Sequence, residues 1–213
     1  MISLTIAYAI GCISFALIVT RAKGVDIRAF GSGNPGATNV GRLLGPAWGR
    51  LVLLLDVAKG AVPVLALSLE PPLVGVSGGA LLAAAAVLGH VYPVTQRFAG
   101  GKGVATLIGA CLALDPIVGA IAVVMHYLIK AISKYVSVAS VALAWSFPLG
   151  QLAARGLGFT RVWGSDEARS LDGVVVMSAL ALVITLRHAA NFGRIRAGTE
   201  SRTDDPKQET EDR

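Results

Sequence analysis

The chain has 213 residues, 54% of them hydrophobic and only 15% charged, with a net charge of +6 and a mean hydropathy of +0.66. An ordinary soluble domain carries about 25% charge. So sparse a charged surface excludes a soluble enzyme, a disordered protein and a disulfide scaffold, and predicts an all-α integral membrane protein. The positive balance reads as basic loops on one side of a bilayer, so nucleic acid is not an expected partner. Cys12 and Cys111 both lie inside apolar runs and show no metal or disulfide spacing.

The first apolar run covers 2–20, with Arg21, Lys23 and Arg28 after it and no basic residue before it. That order is the reverse of a secretory signal peptide and fits a retained span with its N-terminus outside. Further runs follow at 51–69, 73–92, 104–114, 116–133, 136–153 and 172–188. The stretch 104–133 reads as two tilted or shortened spans, because Pro116 cannot continue a helix ladder and biases Asp115 out of the helical region. Seven spans result. They place 21–50, 93–103, 130–135 and everything from Arg187 onward on one face, with 15 of the 19 Lys and Arg residues. By the positive-inside rule that face is cytoplasmic, so the C-terminus is inside. Residues 1–198 are expected to form a single transmembrane domain. Residues 154–171 form an outer loop with room for a short interfacial helix near Trp163, and the polar stretch 199–213 reads as a disordered cytoplasmic tail.

Three polar motifs interrupt this apolar chain, all on the expected cytoplasmic face. The first is GSGNPGATNVGR, 31–42. Its Gly31, Gly33 and Gly36 formally match a dinucleotide fingerprint, but no buried strand precedes them, so that reading is rejected. The backbone of such a segment can form a concave nest of N–H groups for an anion. Ser32, Asn34, Thr38 and Asn39 add neutral donors, and Arg42 adds a fork suited to phosphate. The second is GHVYPVTQRFAGGKGVAT, 89–106. It is no Walker A motif, yet Gly100, Gly101 and Gly103 lead into a helix expected at Val104, with Lys102 beside its N-terminal dipole. For both segments a flexible loop with turn residues is the competing reading. The third is HAANFGRIRAGTE, 188–200. His188, Asn191 and Arg194 recur at helical spacing, although a cation-rich helix end closed by Gly198 explains the same pattern. Inside the second span, Asp56 and Lys59 stand three apart and can pair. They read either as a functional site or as a structural ion pair.

Taken together, GSGNPGATNVGR, DVAKG, GH…P…GGKGVAT and H..N..R...G.E, in this order and spacing from about residue 4 to 200, resemble the bacterial membrane acyl-phosphate:glycerol-3-phosphate acyltransferases. The resemblance implies seven helices with the active-site loops facing the cytoplasm of a bacterial cell (inner) membrane. It implies that a fatty acyl phosphate gives its acyl group to the 1-hydroxyl of glycerol 3-phosphate, yielding lysophosphatidic acid and phosphate, the first acylation of phospholipid synthesis. Carried onto this chain, catalytic roles fall on Ser32, Lys102, His188 and Asn191. Substrate-binding roles fall on Gly31, Gly33, Asn34, Gly36, Thr38, Asn39, Arg42, Lys59, Gly100, Gly101, Gly103, Thr106, Arg194 and Glu200. No metal or cofactor is implied. The implied partners are the two substrates, membrane lipid and the soluble enzyme that makes acyl phosphate. Either His188 or the acceptor's own phosphate serves as base, with the second preferred. A small transporter of a phosphorylated solute is the alternative, favoured only by Asp56, Lys59 and the broken 104–133 stretch.

Overall fold

The computed structural model describes residues 1–67, 77–157 and 170–205, and every described element is helical. Helices α1 (Ile2–Gly11) and α2 (Phe15–Ala22) are separated by a short break, where Ser14 caps α2 by accepting from Leu17 N. Helix α3 (Ala37–Leu44) is followed directly by α4 (Pro46–Ala66), α5 (Gly78–Val91) and α6 (Val104–Leu114). Then come α7 (Pro116–Ser133), α8 (Val136–Gly156), α9 (Leu171–Arg187) and α10 (Ala189–Arg196). The outer loop expected around Trp163 lies mostly outside the described residues.

Each of the seven apolar runs coincides with the body of a helix or helix pair, 2–20 corresponding to α1 with α2 and 104–114 to the short α6. Among the described residues four stretches are long and apolar enough to cross a bilayer: Ile2–Ala22, Gly78–Gln96, Pro116–Ser133 and Val136–Gly156. A fifth is counted if α9 and α10, bent by 45° at His188, form one broken span. Helix α4 is as long, but Arg50, Asp56 and Lys59 dilute its apolar character. At 1.5 Å per residue α6 rises only ~16 Å, about half of a ~30 Å hydrocarbon core. The break between α6 and α7 falls at the expected place. Pro116 opens α7 at its first turn, and the Asp115 side chain caps it by accepting from Val118 N at 3.3 Å.

Two apolar clusters hold the bundle. The larger joins α5 to α9 through Val87, Leu107, Leu143, Phe147, Met177 and Ile184. The smaller seats α3 against α2 and α4 through Leu17, Ile27, Val40 and Val52, with Trp48 at its edge. Helix α3 occupies the second half of the 31–42 segment, which the sequence suggested as a backbone nest with a flexible loop as the competing reading, so any nest is confined to the part before Ala37. The second half of that motif is amphipathic, with Asn39 and Val40 buried and Thr38 and Arg42 turned outward.

Helices α4 and α6 approach closely at small residues. A Cβ on Gly60 would fall on the Thr106 carbonyl, and one on Gly109 on the Val57 carbonyl. Without a hydrophobic drive between helices in lipid, such backbone contact is what holds a pair together. Gly109→Val should therefore separate α4 from α6 at a cost of about 1–3 kcal/mol. Thermal unfolding in detergent should show a lowered midpoint, and an unchanged midpoint would refute the tight crossing.

Candidate active site

The three motifs meet at one end of the bundle. Arg28, in the 3-10 turn Ile27–Ala29, reaches across to the Gln96 side chain (3.2 Å) and the Ala99 carbonyl (2.8 Å), tying the first motif to the second. Arg187, at the end of α9, donates to the carbonyls of Gly100 (3.1 Å) and Gly101 (3.5 Å), tying the second motif to the third. Neither arginine was singled out from the sequence. Arg28 stands before its motif, and Arg187 is the residue just ahead of His188.

Four cations converge here. Lys102 is half-buried and donates to Asn191 Oδ1 at 2.5 Å. Asn191 Nδ2 donates to Glu200 Oε1 at 2.5 Å, and Arg194 Nε donates to Glu200 Oε2 at 2.7 Å. Burial pushes the Lys102 ammonium down to about 8, with Glu200 opposing and Arg194, Arg187 and Arg42 reinforcing the fall. Arg42 thus lies within electrostatic reach of Lys102, so three guanidinium groups and a single carboxylate act on this ammonium. A cluster with this excess of positive charge is built to receive anions.

A tight helix end brings Glu200 into place. Gly198 sits in the left-handed region (φ +68°), and Thr199 N donates to the Arg194 carbonyl at 2.8 Å. This is a Schellman closure, and Gly198 ends the helix as expected. Residues 199–205 return to the body of the protein, where Thr203 N donates to the Lys134 carbonyl at 2.9 Å. The remainder of the polar stretch, 206–213, lies outside the described residues.

His188 is buried at the bend between α9 and α10, so it does not share one regular helical face with Asn191 and Arg194. Its Nδ1 lies 2.8 Å from the Ile184 carbonyl. A carbonyl can only accept, so Nδ1 carries a proton and the neutral ring keeps its lone pair on Nε2. Ser32 is exposed, and its Oγ accepts from Asn34 N at 3.4 Å, which leaves its proton free to donate elsewhere.

Several residues expected to touch substrate are engaged elsewhere. Asn39 is buried and donates through Nδ2 to the carbonyls of Phe30 (2.9 Å) and Ile27 (3.4 Å), so it braces the loop. The amides of Gly100 and Gly101 donate to the carbonyls of Val91 (3.2 Å) and His90 (3.1 Å). Those two N–H groups are therefore committed to α5. The donors at the start of α6 remain, because no side chain caps it and its first internal bond is Leu107 N to the Gly103 carbonyl. Thr106 is fully buried against His90, and Lys59 pairs with Asp56 at 2.7 Å. Among the described residues no group of three or more metal-ligating side chains occurs.

A family model described as glycerol-3-phosphate acyltransferase matches residues 1–198. The chain belongs to that family. A glycerol-3-phosphate acyltransferase of Desulforudis audaxviator is 42% identical over 199 residues, covering 92% of each chain. One of Geobacter sulfurreducens is 39% identical over 207 residues, covering 95% of this chain and 96% of its own. Among solved structures, PlsY (YgiH), an integral membrane glycerol 3-phosphate acyltransferase, superposes in its glycerol 3-phosphate form with a TM-score of 0.82. That match has 34% identity and covers 94% of each chain. Its lysophosphatidic acid form gives a TM-score of 0.80 at 33% identity. This acyltransferase-family chain is thus a multi-pass membrane protein, and the cation cluster is assembled within the family's matched region together with Glu200 just beyond it.

Proposed function

We propose that the protein transfers a fatty acyl group from acyl phosphate to the 1-hydroxyl of glycerol 3-phosphate, releasing lysophosphatidic acid and phosphate. The observation that carries this reading is the convergence of Lys102, Arg42, Arg187 and Arg194 on one end of the bundle, beside an uncapped helix start. Both substrates are phosphate-bearing, and one carries a chain that belongs in lipid. Helix ends and guanidinium groups are the standard means of holding phosphate.

The chemistry asks little of a nucleophile. Acyl phosphate is a mixed anhydride with a good leaving group, so the acceptor hydroxyl can attack it directly. Lys102 and the first amides of α6 stabilise the charge that develops on the acyl oxygen and the departing phosphate. The acceptor's own phosphate takes the hydroxyl proton, while His188 Nε2, as a hydrogen-bond acceptor, and Asn191 orient the acceptor molecule through its hydroxyl groups. Ser32 donates a hydrogen bond to a substrate oxygen, and Arg42 and Arg194 hold phosphate. Gly31, Asn34 and Gly36 shape the first loop around the acceptor, Thr38 adds a hydroxyl from the first turn of α3, and Gly103 sets the turn into α6.

The topology is proposed as seven crossings: α1 with α2 as one, then α4, α5, α6, α7, α8 and α9. The N-terminus is outside and the site faces the cytoplasm of a bacterial inner membrane, as the placement of Lys and Arg favours. Residues 1–198 form the transferase domain, and the polar stretch beyond is its cytoplasmic tail, lending Glu200 to the site. The soluble enzyme that makes acyl phosphate is a partner that would meet this face. A transporter places its site near the midplane, whereas the cations here gather at one end.

Purified protein supplied with acyl phosphate and glycerol 3-phosphate should release phosphate and form lysophosphatidic acid, and glycerol should be a poor acceptor. Equal rates with glycerol would remove the acceptor phosphate site, and no turnover at all would refute the reaction. Gly33→Ala tests the first loop. Gly33 has φ +66°, and a Cβ there would stand 3.1 Å from the Arg28 carbonyl. A left-handed alanine costs roughly 1–2 kcal/mol, so the loop should shift and the KM for glycerol 3-phosphate should rise. An unchanged KM would mean that the loop's conformation does not matter to binding.

A further inference from the structure

Behind the GGKG segment a chain of buried polar groups crosses from the α1–α2 break to α6. Lys59, on α4, gives its ammonium to Asp56 Oδ1 at 2.7 Å and to the Ile13 carbonyl at 2.6 Å, with the Phe15 ring centroid 5.7 Å away. The Ile13 carbonyl lies in the break between α1 and α2, outside either helix ladder, so the ammonium satisfies an acceptor that the ladder leaves open. Asp56 Oδ1 stands 3.8 Å from Nδ1 of His90, on α5. That same Nδ1 shares a hydrogen bond of 3.0 Å with Thr106 Oγ1, in the first turn of α6. The other edge of the ring faces the loop: a Cβ on Gly101 would fall on His90 Nε2. The relative exposures are 2% for Asp56, 4% for Lys59, 8% for His90 and 0% for Thr106. Groups this enclosed are placed to hold neighbours rather than to meet a solute.

We propose that Asp56, Lys59, His90 and Thr106 are positioning residues that lock Gly101 and the first turn of α6, and so fix where Lys102 holds its ammonium. Lys102 lies between the two points that this chain holds. Gly101 on one side is seated on the His90 ring and bonded to its carbonyl, and Thr106 on the other is bonded to its Nδ1. The Asp56 carboxylate next to Nδ1 favours a proton on that nitrogen, so the ring donates to Thr106 and stays in one orientation. Lys59 neutralises Asp56 and anchors it to the α1–α2 break. Three helices and the α1–α2 break thereby set the position of one cation, and a shift in any of them reaches the loop. Lys59 and Thr106, expected from the sequence to bind substrate, act through Lys102 instead.

The inference rests on the acyl-transfer reading, and the test separates the two. Thr106→Val removes the hydroxyl and keeps the shape, and Thr106→Ser restores the hydroxyl. Both full-length variants, purified in detergent, are compared with the parent for kcat, for the KM of each substrate, and for deuterium uptake. The loss of one such bond should lower kcat by about tenfold in the valine variant and leave the KM of glycerol 3-phosphate unchanged. Uptake in 98–106 should rise while 189–196 keeps its protection, and the serine variant should recover both readouts. Lower activity with unchanged uptake would make Thr106 a substrate contact and overturn the proposal. So would a rise in uptake throughout the chain, which marks a merely structural role, or no change in either readout. If the valine variant yields no folded protein, His90→Gln takes its place with the same readouts. A parent protein without acyl transfer would end the functional reading alone, because the uptake comparison still decides the positioning.

Discussion

Lys102→Ala is expected to lower kcat/KM by ~2–4 kcal/mol of transition-state stabilisation, roughly 30- to 1000-fold. The ammonium is the one cation of the cluster that leads directly into the start of α6, and Asn191 holds it at 2.5 Å. Its pH behaviour is the sharper check. Burial first, then Arg194, Arg187 and Arg42, hold its pKa at about 8 against the pull of Glu200. The charged form therefore dominates below pH 8 and is lost above it. If the reaction needs the cation, kcat/KM should fall along an alkaline limb near pH 8. Bound phosphate favours the ammonium, so the limb of kcat should lie higher than that of kcat/KM. Lys102→Arg keeps its charge throughout this range and should show no limb near 8, at a lower plateau. Rates of the alanine variant equal to those of the parent, or a flat profile from pH 7 to 10, would remove Lys102 from the mechanism.

Lys59→Met should destabilise the fold by about 3–5 kcal/mol, the scale for leaving one member of a buried ion pair without its partner. Both side chains are 3% exposed, and the methionine would strand the Asp56 carboxylate inside the bundle and uncap the Ile13 carbonyl. Asp56→Asn combined with Lys59→Met removes both charges and should recover much of the loss. Denaturant unfolding in detergent, followed across the parent, the two single variants and the double, gives the coupling. Additive losses would show that the two charges do not depend on each other.

Helices expected from periodicity and punctuation reappear where the local chemistry is strong. Asp115 and Pro116 break 104–133 because one caps a helix and the other can only open one. Gly198 ends α10 because a left-handed residue is needed there. Helix α3 was hidden inside a glycine-bearing motif, since its amphipathic pattern is only eight residues long and its apolar face has meaning only once α4 supplies the opposite wall. At the site, Lys102, Asn191, Arg194 and Glu200 were legible as motif members, and the structure adds their mutual bonds. Arg28, Arg187 and His90 were not singled out. Their partners lie 68, 87 and 16 positions away, and no local spacing encodes such contacts.

By itself the sequence determined the environment and the inventory. Its few charges and long aliphatic runs dictate helices in lipid, because a backbone there must satisfy its own hydrogen bonds. Its motifs supply donors and cations suited to phosphate. Only the tertiary structure decided which of them pair within the protein. The Asn39 amide nitrogen, the Gly100 and Gly101 N–H groups, the Lys59 ammonium and the Thr106 hydroxyl are engaged within the protein, while Arg42, Arg187 and Arg194 all lie within electrostatic reach of Lys102. The physical reason is that a polar group inside an apolar bundle must be paired. Which partner takes it depends on helices distant in sequence that packing brings side by side.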